Sequence, residues 1–270
     1  MLLRATETES GCIVLTGAAG AKPATGPLVS RVDNYSRVPT TPRNHFDDDI
    51  SRAWDLHALA VSAEPADAPL ATDVARVAVA FGVGAMDAYL CDAFTDTLAR
   101  CLKSCRNGHE LPNGYAKLEL PIGPLMTGYA VRENWALRMA ARALMERDNL
   151  LQLGRLKELL NPALPPGHKL WNDIAQEYVD LDRKRLTGFR KSEYAALTGQ
   201  AKAKAPNKAS NAILTRMGEI VQRRHDIVHN CDRPKAAKQW LSLAAAKKML
   251  ADVEDFVVVL DEHLETHRLY

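Results

Sequence analysis

Between Asn211 and His229, apolar residues return every three or four positions: Ile213, Leu214, Met217, Ile220, Val221, Ile227 and Val228. At about 100° per residue they gather into one stripe of a helix. Met249, Val253, Phe256, Val257, Leu260 and Leu264 repeat the pattern nearer the C-terminus. Ser242 stands ahead of them as a capping residue, so a long helix is predicted through about His267. Elsewhere proline and glycine set the punctuation. Asp47, Asp48 and Asp49 suit the N-terminus of a first helix as caps and dipole partners, and Pro65 and Pro69 end it. A long helix is expected from Ala71 to Cys105, weakened in its middle by Gly82 and Gly84. Gly108, Pro112, Gly114, Pro121 and Pro124 mark an irregular connection. One or two helices follow, up to Asn161-Pro162, and another runs from Trp171 to Leu186. Pro206 is expected to start the helix that carries the Asn211–His229 stripe, and Pro234 follows it. No segment alternates with period two and no repeat is visible. The predicted class is all-α, a helical bundle with an elaborated middle.

Residues 1 to about 45 are rich in Ala, Gly, Thr and Pro without a sustained period, and read as a flexible tail before a helical domain at 46–270. Their GAAGAKPATG segment lacks the order of a phosphate-binding loop. The 270 residues suffice for a core without disulfides or metals. A formal net charge of +2 gives no global case for nucleic acid, so any such case must be local. Five cysteines at irregular spacing fit a reducing cytoplasm better than a disulfide framework. No uncharged apolar run approaches the roughly 20 residues that span a bilayer, and Glu7 and Glu9 are wrong for a secretory leader, so no membrane partner is expected.

The chemistry concentrates in RRHDIVHNCDRPK, from Arg223 to Lys235. Arg224 falls within the apolar stripe, where a cation needs a carboxylate, a phosphate or carbonyls. His225 and His229 lie one turn apart at the stripe's edge. Arg224 and His229 diverge by about 140° on a continuous helix. They converge only if the helix ends near His229, or if a two-fold axis repeats the residues across a dimer interface. RNA suits these groups. Its 2′-hydroxyl attacks the adjacent phosphodiester, imidazoles move the two protons, and a guanidinium stabilises the charge building on phosphorus. An amphipathic helix whose basic residues are solvated or salt-bridged explains the same pattern without chemistry.

The run Arg224-His225-Asp226-Ile227-Val228-His229 resembles the R-x4-6-H motif of HEPN-domain ribonucleases, and RHDIVH followed by Asn and Asp resembles the RiboL-PSP type most. The resemblance implies an all-α bundle that dimerises and places two motifs in a cleft between protomers. It implies metal-independent RNA cleavage leaving 2′,3′-cyclic phosphate ends, with no cofactor, often in toxin–antitoxin, abortive-infection or antiphage systems. Arg224 and His229 would be catalytic and His225 a supporting polar residue. VAVAFGVGAMDAYLCDAF resembles the early HEPN helix. Its Asp87 is the one charge between Val77 and Cys91, and an Asp87–Arg224 contact, within or across protomers, is the expected way to aim the guanidinium. Toxins of this kind that a partner silences by nucleotide transfer carry a tyrosine two residues after the histidine, where this chain has Cys231.

Arg183, Lys184, Arg185, Arg190 and Lys191, with Lys202, Lys204 and Lys208 beyond, form a basic tract interleaved with Phe189 and Tyr194. They suit phosphate contact and base stacking on single-stranded RNA, and they suit a solvated loop equally. Arg223 joins the candidate RNA contacts. CLKSCRNGHE spaces Cys101, Cys105 and His109 at intervals of four without a fourth metal ligand. HLETH, with His263 and His267, is not a zinc-protease motif and reads as a charged helix face. No metal is therefore expected. The sequence favours a cytoplasmic homodimeric endoribonuclease with RNA as substrate and an antitoxin or defence protein as a possible partner. A non-cutting HEPN-like dimer that binds RNA or protein is the alternative, and a scaffold in which Arg224 serves structure alone is a third.

Overall fold

A computed structural model describes residues 6–7, 13–14, 41–120, 123, 133–145, 150–233 and 239–269. The flexible-tail expectation falls almost wholly outside these residues. Thr6–Glu7 and Ile13–Val14 pair antiparallel as two-residue strands in a unit of their own, Met1–Pro39. The second unit, Thr40–Tyr270, is all-α among its described residues.

Helix α1 spans Pro42–Ala63. Thr41 caps it, its hydroxyl accepting from the Asn44 N–H at 3.2 Å, and Pro42 supplies a first-turn residue with no N–H to satisfy. The helix therefore starts ahead of Asp47, Asp48 and Asp49, and Asp47 pairs along it with Arg43 at 2.7 Å instead of capping. Helix α2, Ala68–Arg106, begins at Asp67, whose side chain accepts from the Leu70 N–H. Pro69 thus opens α2 and does not close α1. The 39 residues of α2 run unbroken through Gly82 and Gly84. Gly82 lies close against the last helix, where an added Cβ would sit 2.5 Å from Leu250 Cδ2 and push that side chain aside. By length and composition α2 could cross a bilayer, and 56% of its apolar window is buried in this bundle.

Short helices fill the middle: α3 (Glu133–Met145), α4 (Leu153–Leu160) with a 3-10 turn at Asn161–Ala163, and α5 (Leu170–Asp180). The predicted helix from Trp171 to Leu186 stops early, because Asp182 takes a left-handed φ of 54° and turns the chain into α6 (Lys184–Thr187). Helix α7 is Lys191–Ala195, and α8 is Gly199–Asn230. Pro206 lies inside α8, not at its start. The residues before it, GQAKAKA, are mostly strong helix formers, and an interior proline at a helical φ can be carried at the cost of a hydrogen bond. Helix α9, Leu243–His267, begins as predicted at Ser242, whose hydroxyl accepts from Ala245 N–H.

One apolar cluster joins α1 (Phe46, Ile50), α2 (Met86, Tyr89, Leu90, Phe94, Leu98), α5 (Ile174, Tyr178), α8 (Ile213, Met217, Ile220) and α9 (Phe256, Val257, Leu260). Helix α2 runs through its centre, packed by α1, α3, α8 and α9. Burial of such large side chains is the main term holding the bundle together.

Candidate functional site

The buried face of α8 does not stay on one stripe. It passes from Ile213 and Met217 to Ile220, then steps in threes to Arg223 and Asp226. Three-residue steps rotate the face around the helix. The rotation has a cause: the chain beyond α8 returns through Asp232 and Gln239 and covers a new side of its last turns. Arg223 consequently is the more buried of the two arginines, 8% exposed, and its internal partners oppose the RNA contact expected of it. Its guanidinium meets the Asp232 carboxylate at 2.7 Å and donates also to the Gln239 side-chain oxygen. Asp232, 1% exposed, takes a second arginine, Arg76 of α2, at 2.6 Å. Arg76 in turn reaches Asp73 at 2.7 Å and the Gln239 carbonyl at 2.9 Å.

This cluster ends the helix. Cys231 and Asp232 are both left-handed, with φ of 47° and 61°, and the Asp232 N–H returns to the Asp226 carbonyl at 2.8 Å. The Asp226 side chain accepts from Gln222 at 2.9 Å. The motif's last turn is therefore tied from both sides of its chain reversal.

Arg224 is half-buried, at the edge of the covered face and not in its middle, and Val228 is 49% exposed. Arg224 faces α2 closely enough to act on Asp87. Burial pushes the Asp87 carboxyl above the usual carboxylate range, and the Arg224 charge draws it part of the way back. No hydrogen bond or ion pair closes between the two in one protomer. The Arg224 Nε is buried and meets no acceptor among the described residues. Such orphan donors are costly, so this one needs an explanation. His225 and His229 are exposed, their rings 4.6 Å apart between centroids and tilted by 44°. Because α8 stays helical to Asn230, Arg224 and His229 remain about 140° apart on one chain.

Four basic residues of the tract pair with acids of the protein itself. Arg183 meets Asp255 at 3.0 Å, Arg185 meets Asp252 at 2.6 Å, Lys184 meets Glu193 at 2.7 Å and Lys191 comes within 3.9 Å of Asp180. Arg190 is exposed, and its backbone N–H is held by Glu193 at 2.9 Å. Tyr194 is buried edge-on to Phe189, and Lys202 and Lys208 sit over the two rings. The aromatic faces expected to stack bases are thus already engaged.

Two buried acids escape sequence reasoning. Asp232 carries no signal apart from its place after the motif. Asp252, 0% exposed and paired with Arg216 at 2.9 Å, sits in an otherwise ordinary helix. Cys101 is buried, and burial together with its contact to Cys105 pushes its thiol up to about 12. The reading of HLETH as a charged face is overturned at His263, which is 1% exposed. His263 and His267 meet His168 of the preceding loop, with ring centroids 6.3 and 5.1 Å from it. The partner at His168 lies 95 residues away, so no local motif could reveal it.

No family model, curated protein or solved structure matches the chain.

Proposed function

We propose that the chain is a metal-independent endoribonuclease of the HEPN type, acting as a cytoplasmic homodimer in a toxin–antitoxin or antiphage setting. One observation carries the reading. A half-buried arginine with an orphan Nε stands beside a carboxylate of raised pKa, on the same helix end as an exposed histidine pair. A guanidinium held by packing, and left without a full set of acceptors, is prepared to take phosphate oxygens. His225 and His229 are open to solvent, where an RNA backbone could reach them.

In this reading Arg224 stabilises the charge on phosphorus and His229 transfers a proton, either from the 2′-hydroxyl or to the leaving oxygen. His225, stacked one turn before it, orients or assists. The divergence of Arg224 and His229 on one chain calls for a second protomer, with Arg224 of one copy meeting His229 of the other. Val228, exposed on the last turns of α8, supplies apolar surface for such an approach.

The test compares wild type, Arg224→Ala and His229→Ala on RNA in EDTA. Cleavage to 2′,3′-cyclic phosphate ends by the wild type alone supports the nuclease. Of the alternative, a non-cutting dimer that binds RNA or a protein partner, the internally paired basic tract favours the protein-binding form; RNA left intact and unbound by a wild type that still dimerises would support it.

A further inference from the structure

Three imidazoles and two carboxylates converge where the end of α9 meets α5 and the loop before it. His168, Asp173 and His263 hold ligand-capable atoms within 4.8 Å of one another, and so do Glu177, His263 and His267. The histidine shared by both groups is the informative one. His263 Nδ1 lies 2.7 Å from Glu177 Oε1, so that nitrogen carries a proton toward the carboxylate and leaves no room for an ion between them. In the neutral ring Nε2 is then the nitrogen that carries the lone pair. That atom is buried and has no hydrogen-bond partner among the described residues, on a side chain that is 0% exposed. His168 Nδ1 is also buried without a hydrogen-bond partner, 3.4 Å from Asp173 Oδ2 but outside bonding geometry. Two buried imidazole nitrogens without a hydrogen bond, both beside a carboxylate, call for an explanation.

We propose that His263, through Nε2, together with His168 and Asp173, binds one divalent first-row transition ion, with Zn2+ as its best fit. The two-nitrogen, one-oxygen donor set suits such an ion and not Ca2+ or Mg2+, which take oxygen. Glu177 then acts as the carboxylate behind a metal-bound histidine, fixing its tautomer and orientation. Metal–ligand bonds of about 2.0–2.2 Å need closer ligands than these. His168 and Asp173 are 27% and 38% exposed in their side chains, so their rotation closes the gap and leaves the ion an entry path. The ion would pin the 165–168 turn and the start of α5 to the last turns of α9. It is remote from the α8 motif: His263 lies 20 residues, about 30 Å, along α9 from the end nearest Asp232. The site is independent of the nuclease proposal.

The test strips the full chain with a chelator, removes the chelator, and titrates Zn2+ alone by calorimetry while following thermal unfolding. One saturable ion per chain is expected, with a melting temperature that rises with Zn2+ concentration. His168→Ala, a change at a half-exposed position, should abolish that uptake while the helical circular dichroism stays unchanged, and Asp173→Asn should weaken it. Glu177→Gln should weaken it by about 10- to 100-fold. Cys101→Ser/Cys105→Ser should leave it intact. The proposal is overturned if wild type takes up no stoichiometric Zn2+. It is overturned equally if His168→Ala binds as tightly as wild type, or if uptake is lost in the cysteine variant instead.

Discussion

Asp232→Asn tests the claim that a buried ion cluster fixes the end of the motif helix. Asparagine tolerates the φ of 61° that this position requires, so the change removes charge without the left-handed strain that alanine would add. The carboxylate it replaces is 1% exposed and serves two arginines, Arg76 at 2.6 Å and Arg223 at 2.7 Å. Their side chains are 7% and 9% exposed, so water cannot take over. Arg76 keeps Asp73 and Arg223 keeps Gln239, but the amide oxygen can satisfy only part of what both lose. Removing one side of a buried charge cluster costs about 3–5 kcal/mol. At about 2–4 °C per kcal/mol for a domain of this size, the melting temperature should fall by roughly 6–20 °C. Urea denaturation followed by far-ultraviolet circular dichroism measures the loss directly, provided the slope with denaturant is unchanged. A loss below about 1 kcal/mol, the range of an exposed ion pair, would refute the reasoning.

Three other outcomes are expected. If Arg224 and His229 meet across protomers, mixing inactive Arg224→Ala with inactive His229→Ala restores up to about a quarter of wild-type cleavage, since half of randomly assorted dimers carry one intact site of two; a mixture that stays inactive while exchanging subunits removes the trans arrangement. Asp87→Asn should lose cleavage yet be at least as stable as wild type at pH 7. Its carboxyl is raised above 3.8 by burial, so the native state binds that proton more tightly than the unfolded chain, and wild-type stability falls as pH rises from 3.8 through the raised value. The advantage of Asp87→Asn in melting temperature should therefore shrink at pH 3; an advantage larger at pH 3 than at pH 7 would contradict this. Gly114→Ala should destabilise by about 1–3 kcal/mol in the same urea experiment, because the new methyl would collide with the rigid Pro162 ring; an unchanged midpoint would show that the loop yields.

The α9 stripe and its Ser242 cap were legible because periodicity and capping are local: each signal lies within a few residues of what it decides. The same rules misplaced the starts of α1 and α8. Thr41 with Pro42 made an equally good cap ahead of the aspartates, and the strong helix formers before Pro206 carried α8 through it. The candidate site divided along the same line. Arg224, His225 and His229 could be singled out from their spacing, and Asp87 from its isolation in an apolar run. Which arginine is buried could not. A regular stripe favoured Arg224, whereas the returning chain at Asp232 and Gln239 rotated the covered face onto Arg223. The basic tract looked available because its acids, Asp252 and Asp255, lie some 70 residues away on α9. His168 meets His263 across 95 residues of chain. The sequence alone determined the helices and the reactive side chains on them, because those follow from neighbours along the chain. Only the tertiary structure decided which charges are spent on one another and which imidazole nitrogens are left without a partner, because burial and pairing depend on what long-range packing brings within a few ångströms.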